Sequence, residues 1–179
     1  LARKKHFPAI NWNISFTKYE MTLLEYYSQN GQKQFSSDIA KAKQVLQEEK
    51  NLQEIVQLVG PDALGEEQKV TLQIAKLIKE DFLAQNAFSD DDYTCPIEKT
   101  QGMLRSIILF YENCIKAIKD NNNLGENVNK ITWNRIEQNL NEQYELLVQM
   151  KRILPTTEPK EIEAQFAAIY KSINQGFKA

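Results

Sequence analysis

The chain has 179 residues, 42% of them hydrophobic and 26% charged, with 22 Lys and Arg against 24 Asp and Glu. A formal charge of −2, with Arg3-Lys4-Lys5 as the one basic cluster, argues against nucleic acid or an anionic membrane surface as the main partner, because both reward a cationic surplus. No apolar run approaches the roughly 20 residues needed to cross a bilayer, and two cysteines make no disulfide framework, so a reducing compartment is the default.

Apolar residues recur at helical spacing along most of the chain. A first helix is expected over residues 15–28, with Phe16, Tyr19, Leu23, Tyr26 and Tyr27 near one face. A longer one follows over 36–59, with Val45, Leu52, Ile55, Val56 and Val59 in phase. Gly60-Pro61 stops it, since Gly tolerates left-handed geometry and Pro cannot continue the ladder. A third helix over 66–84 carries Val70, Ile74, Leu77 and Ile78. Residues 88–96 read as a loop with three consecutive aspartates.

The fourth helix is expected over 98–119, with Leu104, Ile108, Tyr111, Ile115 and Ile118 alternating by four and three. Residues 120–129 are polar and Asn-rich and read as a flexible connection. A fifth helix over 131–154 aligns Trp133, Ile136, Leu140, Tyr144 and Leu147. Pro155, Thr156, Thr157 and Pro159 break the pattern, with Thr157 as the expected N-cap and Pro159 in a first turn. The last helix sets Ile162, Phe166, Ile169, Ile173 and Phe177 on one stripe. No strand-like alternation competes, so the expectation is one all-α domain over residues 1–179, a bundle of about six helices.

Candidate chemistry is sparse. No Gly-rich phosphate loop of the P-loop form occurs, so the chain alone is expected to be folded and helical and unable to cradle a triphosphate by that mechanism. His6 is the one histidine, which excludes a multi-His metal site; between Lys5 and Phe7 it reads as a packing or hydrogen-bonding residue rather than a general base. Asp90-Asp91-Asp92 lacks the spaced ligands of a calcium loop and reads as a solvated turn. Cys114 lies on the apolar surface of the fourth helix and reads as core. Cys95, before Pro96 in a loop, is structural filler by default or a reachable thiol, reactive where its pKa is lowered. The start at Leu1, with no initiator Met and no secretory signal pattern, reads as a fragment excised from a longer protein.

Leu52-Gln53-Glu54-Ile55-Val56-Gln57-Leu58-Val59-Gly60-Pro61-Asp62-Ala63-Leu64, then Glu80-Asp81-Phe82-Leu83-Ala84-Gln85-Asn86-Ala87-Phe88, then Cys95-Pro96, form an ordered set. His6-Phe7-Pro8-Ala9-Ile10-Asn11-Trp12 stands upstream, and Asn129-Lys130-Ile131-Thr132-Trp133 downstream. Together they resemble the C-terminal helical domain of the catalytic A subunit of V-type, proton-pumping ATPases. The likeness is dense to about residue 118 and thin after Pro155.

The resemblance implies a parent subunit that hydrolyses ATP, with ATP or ADP and Mg bound mainly by residues upstream of this chain. It implies a ring shared with B subunits, a central rotor stalk as partner, and a place on the cytosolic face of vacuolar or other endomembranes, with the membrane reached only through the complex. No cofactor is expected in this chain by itself. Residues 1–14 would be the junction from the nucleotide-binding domain. Asp62, Ala63, Leu64, Gly65, Glu66 and Glu67 fall where the related F-type beta subunit carries its acidic DELSEED lever, which makes them the implied rotor contact. Only Asp62, Glu66 and Glu67 are acidic there, so a steric push is favoured over an electrostatic one.

Gln85, Asn86, Ala87 and Phe88 correspond to the loop that closes over adenine, where an aromatic face stacks on a purine. On residue type alone Phe88 reads as core; the resemblance reverses that. Cys95 matches a regulatory cysteine that in vacuolar members pairs with the P-loop cysteine of the same subunit. Asn13 stands where the family has an apolar residue. The other readings are a free-standing helical adaptor that binds partner helices through apolar stripes, and the archaeal type of the same ATPase family.

Overall fold

Three- and four-residue spacing of apolar side chains produces seven α-helices, with no strand among the described residues. The structure, a computed structural model, describes residues 1–29, 32–122 and 130–178. The helices are α1 (Glu20–Gln29), α2 (Lys33–Val59), α3 (Glu66–Leu77), α4 (Ile97–Asn122), α5 (Trp133–Asn139), α6 (Asn141–Gln149) and α7 (Pro159–Gly176). The all-helical expectation holds.

Helix α4 is the hub, with α2, α3 and α7 packed around it. Its Leu104, Ile107, Ile108 and Phe110 meet Val70 and Ile74 of α3, Val45 and Leu46 of α2, and Ile162, Phe166 and Ile173 of α7 in one core cluster. Edge-on aromatic contacts close one end: Phe110 lies 5.5 Å from Phe177 and 6.2 Å from Tyr144, and Tyr144 lies 6.1 Å from Trp133. Gly102 lets α7 approach α4 closely. A Cβ built there would stand 2.2 Å from the ring of Phe166.

Several boundaries differ from the sequence expectation; α2, for one, begins at Lys33 rather than Ser36. Helix α1 starts at Glu20 rather than Ser15. The Thr17 hydroxyl accepts from Tyr19 N at 3.1 Å, and Ser15 N–H donates to the Asn11 carbonyl, so local bonds compete with the helix ladder. Phe16 and Tyr19 are exposed, and so are Leu23 and Tyr26 within α1, so the expected shared face is not a core face. The expected fifth helix is two helices, broken at Leu140, whose flanking Asn139 and Asn141 are poor helix-interior residues. The break turns Leu140 and Leu147 both into the core.

Thr157 does not cap α7; its N–H donates to the Leu154 carbonyl at 3.1 Å, and Glu158 precedes Pro159 without a side-chain cap bond. The polar stretch 120–129 is helical through Asn122, and its remainder, 123–129, lies outside the described residues.

The third helix changes winding. After Leu77 the chain continues as a π-helical turn, Ile78–Leu83, in which Ala84 N–H reaches the Lys79 carbonyl at 3.0 Å. Among the described residues no helix is long and apolar enough to cross a membrane.

Candidate functional site

Two groups of predicted residues lie at opposite ends of the α3–π segment, about 27 Å of helix apart at 1.5 Å per residue. The first is the turn between α2 and α3. Gly60 adopts φ 86°, which explains glycine there, and its N–H donates to Val56 O at 2.9 Å. Pro61, Asp62 and Ala63 form an exposed 3-10 turn.

Leu64 does not project from this turn. It is only 5% exposed, folded back into the protein. Glu66 is also committed: Lys69 Nζ lies 2.7 Å from one of its oxygens, and Trp133 N–H donates to the other at 2.7 Å. Partial burial works against its charge, yet these bonds hold its carboxyl below the ordinary glutamate range. Glu67 pairs with Lys119 at 3.6 Å. Gly65 N–H donates to Gln68 Oε1 at 2.9 Å, satisfying one helix-entry donor.

The apolar bulk at this end is on the last turn of α2 instead. Leu58 is 84% exposed and Val59 64% exposed, with Ile55 beside them. The stripe expected to bury Ile55 and Val59 therefore leaves the bundle before α2 ends. The sequence reading missed Leu58; its signal was the run of four bulky apolar residues, Ile55, Val56, Leu58 and Val59, in the last five of the helix, more than one face can bury.

The second group is the loop 84–93. Phe88 is 99% exposed, which overturns its reading as a core residue. Gln85, Asn86, Ala87 and Phe88 line a cleft of about 620 Å³ with Phe7, Tyr93 and Lys151. Asn86 organises the loop. Its side-chain oxygen accepts from Phe88 N at 3.0 Å, and its own N–H donates to Asp92 Oδ2 at 2.7 Å. Gln85 N–H donates to the Phe7 carbonyl at 2.7 Å, tying the loop to the segment 1–14.

The aspartate run is not a uniformly solvated turn. Asp92 is buried and pairs with Lys151 at 3.2 Å. The Ser89 hydroxyl donates to Asp91 and holds that carboxyl below its ordinary range. Among the described residues no group of three or more His, Cys, Asp or Glu side chains stands where it could hold a metal ion.

His6 forms the hydrogen bond expected of it. Nε2 lies 2.9 Å from the Lys79 carbonyl; since a carbonyl only accepts, Nε2 carries the proton. Its ring stacks at a tilt on Trp12, 5.2 Å away. Asn13 is exposed, so a polar residue there costs the core nothing.

The two cysteines differ as expected. Cys114 is buried, and desolvation pushes its thiol well above the ordinary range. Cys95 is half-buried just before α4, with its sulfur accepting from the Thr100 hydroxyl at 3.2 Å. In the native chain one equivalent of a small thiol reagent is expected to label Cys95, with Cys114 reacting only in denaturant. Mass spectrometry of the labelled peptides reads this, and equal protection of both would make Cys95 purely structural.

Sequence reasoning missed the buried polar framework. Lys99 is only 1% exposed, the most deeply buried charge near the loop. Burial lowers its pKa, opposed by Cys95, Asp92 and Asp91. Its signal was its position four residues before Met103 on the buried face of α4. Glu49 and Lys79 pair at 2.5 Å between α2 and the π turn. Asp38, Arg105, Glu112 and Lys41 form a connected network between α2 and α4.

The family model described as the C-terminal domain of V and A type ATP synthase matches residues 24–128. Isoform 1 of the catalytic A subunit of the V-type proton ATPase of Drosophila melanogaster is 44% identical over 179 residues, covering 99% of this chain and 28% of the relative. The corresponding catalytic A subunit of the V-type proton ATPase of Dictyostelium discoideum is 41% identical over 178 residues, with the same two shares. The chain thus spans about 28% of the length of these curated relatives. A match over more than half the chain, joined to relatives of this identity, means that the chain belongs to the family of C-terminal domains of V- and A-type ATP synthases.

Proposed function

We propose that this chain is the C-terminal part of the ATP-hydrolysing A subunit of a V-type proton ATPase. It relays closure of the nucleotide site to the central rotor and supplies Phe88 to the adenine pocket. One observation supports both roles: the packed core leaves bulky apolar side chains exposed at both places, Leu58 and Val59 at the end of α2 and Phe88 in the loop 84–93, as it also does at Phe16, Tyr19 and Met21. Exposed bulk of this kind contributes little to the fold and suits contact with something else.

ATP or ADP with Mg would be held mainly by parts of the parent subunit outside this chain, which by itself would not turn over ATP. The proposed neighbours are the B subunits and the rotor stalk. The proposed location is the cytosolic face of vacuolar or other endomembranes, reached only through the complex. Cys95 would be the regulatory thiol, half-buried rather than fully open. The curated relatives are catalytic subunits, which favours this reading over a free-standing adaptor.

The push on the rotor is steric rather than electrostatic in this reading. Glu66 and Glu67 are engaged within the domain, and Asp62 is the acid left exposed at the tip. The test measures proton pumping per ATP hydrolysed by the complete enzyme in vesicles. Asp62→Ala should leave this ratio intact, because an exposed pair contributes only about 0–1 kcal/mol. Replacing Leu58 and Val59 together by alanine should lower it, through a rotor contact weakened by about 1–2 kcal/mol. An Asp62→Ala enzyme that hydrolyses but no longer pumps, beside a normal Leu58/Val59 double variant, would show that charge carries the coupling.

A further inference from the structure

Phe88 has no packing to hold it, so the shape of its loop must come from polar bonds. Those bonds converge on two lysines from outside the loop. Lys151, in the turn after α6, donates to the Ala84 carbonyl at 2.5 Å and pairs with Asp92 at 3.2 Å. It therefore ties the start of the loop to its end. Lys99, on α4, donates to the Asp91 carbonyl at 2.6 Å and to the Lys151 carbonyl at 2.7 Å. It fixes both the loop and the backbone of the other lysine. Asp92 passes the constraint inward by accepting from Asn86 N–H, and Asn86 passes it to Phe88 N–H.

A buried ammonium is costly unless hydrogen-bonded, and an apolar residue at position 99 would bury more cheaply. Lys99 is therefore poorly explained as a core filler and well explained as a tie. We propose that Lys99, Lys151 and Asp92 form a positioning clamp that sets the loop 84–93 in its base-stacking shape before nucleotide arrives. The clamp rests on the reading of Phe88 as an adenine contact. A loop ordered in advance does not have to lose its freedom during binding, so affinity rises without any new contact to the ligand. The clamp acts through Phe88 and touches no phosphate, so its loss falls on KM rather than kcat.

The experiment uses the complete ATPase carrying Phe88→Ala, Lys151→Met, both together, or Lys151→Arg. ATP hydrolysis gives KM and kcat, and hydrogen exchange follows the amides of Asn86 and Phe88. Each of the first two single variants should raise KM by about tenfold with little change in kcat. The double variant should match Phe88→Ala alone, because a clamp has nothing left to position once the ring is gone. Lys151→Met should speed exchange at Asn86 and Phe88, and Lys151→Arg, which keeps a cationic donor, should restore much of the affinity. If Lys151→Met does not assemble, Asp92→Ala takes its place in the same comparison.

If Phe88→Ala raises KM while the clamp variant does not, or if their effects multiply, the adenine reading stands and the clamp is wrong. If Phe88→Ala leaves KM unchanged, the adenine reading falls and the clamp falls with it.

Discussion

Arg105→Ala is expected to destabilise the domain by about 3 kcal/mol, the lower end of what breaking a buried ion pair costs. Asp38 is only 1% exposed and faces Arg105 Nη1 at 3.0 Å; its other partner there is the neutral Gln34 amide, also at 3.0 Å. Arg105 Nη2 reaches Glu112 at 3.3 Å, and Lys41 pairs with Glu112. Without the guanidinium, Asp38 is a buried charge with one amide donor. Glu112 keeps Lys41 and loses little. The lower end applies because Arg105 is itself about a quarter exposed, so water can enter the vacated space. Replacing both partners by apolar residues, Asp38→Leu with Arg105→Met, should recover most of the loss, since it removes the unpaired charge as well as the pair. Urea unfolding followed by circular dichroism reads both variants. An Arg105→Ala domain within about 0.5 kcal/mol of the parent would mean that the pair adds nothing.

Gly102→Ala should cost about 2 kcal/mol, although alanine is the better helix former by nearly 1 kcal/mol. The added methyl would meet Phe166 ring atoms at 2.2, 2.3 and 2.5 Å. Phe166 is buried and cannot swing aside without disturbing the α4–α7 contact. The Gly102 carbonyl also accepts from Ser106 Oγ at 2.8 Å and from Tyr170 Oη at 3.4 Å, so a shift of α7 weakens a second tie. Gly65→Ala is the control. Its Cβ would find its nearest neighbour, Gln68 Oε1, at 3.8 Å, an ordinary contact, and the unfolding midpoint should barely move. A stable Gly102→Ala domain would show that α7 seats more loosely than its packing indicates.

Helix identity was legible wherever apolar spacing faced a partner helix, and illegible where it did not. Val70, Ile74 and Leu77 are buried as their spacing predicts, and so are Ile162, Phe166 and Ile173. Ile55 and Val59 continue the stripe of α2 in sequence but are exposed, and periodicity carries no record of where a neighbour ends. The same blindness set Phe16 and Tyr19 on one face with Leu23 and Tyr26, all four of which are exposed.

The polar framework was partly readable. Phe35, Asp38, Ala42, Val45, Glu49 and Leu52 succeed one another by alternating threes and fours, and all are buried. Two acids on an apolar seam predict cationic partners, and Arg105 and Lys79 are those partners. Which lysine or arginine would answer was not readable, because the partners lie 67 and 30 residues away along the chain. The loop 84–93 was legible in its second half, where residues 88–96 carry the aspartate run; its restraints come from Lys99 and Lys151, whose spacing to it is set by the fold.

Helix α2 outruns its own anchorage. Val45 and Leu46 lie in the core, Glu49 is tied to Lys79 of the π turn, and Leu52 is the last buried residue of the helix. From Leu52 to Val59 is about 10.5 Å at 1.5 Å per residue. Leu58 and Val59 therefore stand on a short overhang whose base is fixed at several points, so the tip follows the bundle as a rigid extension of it.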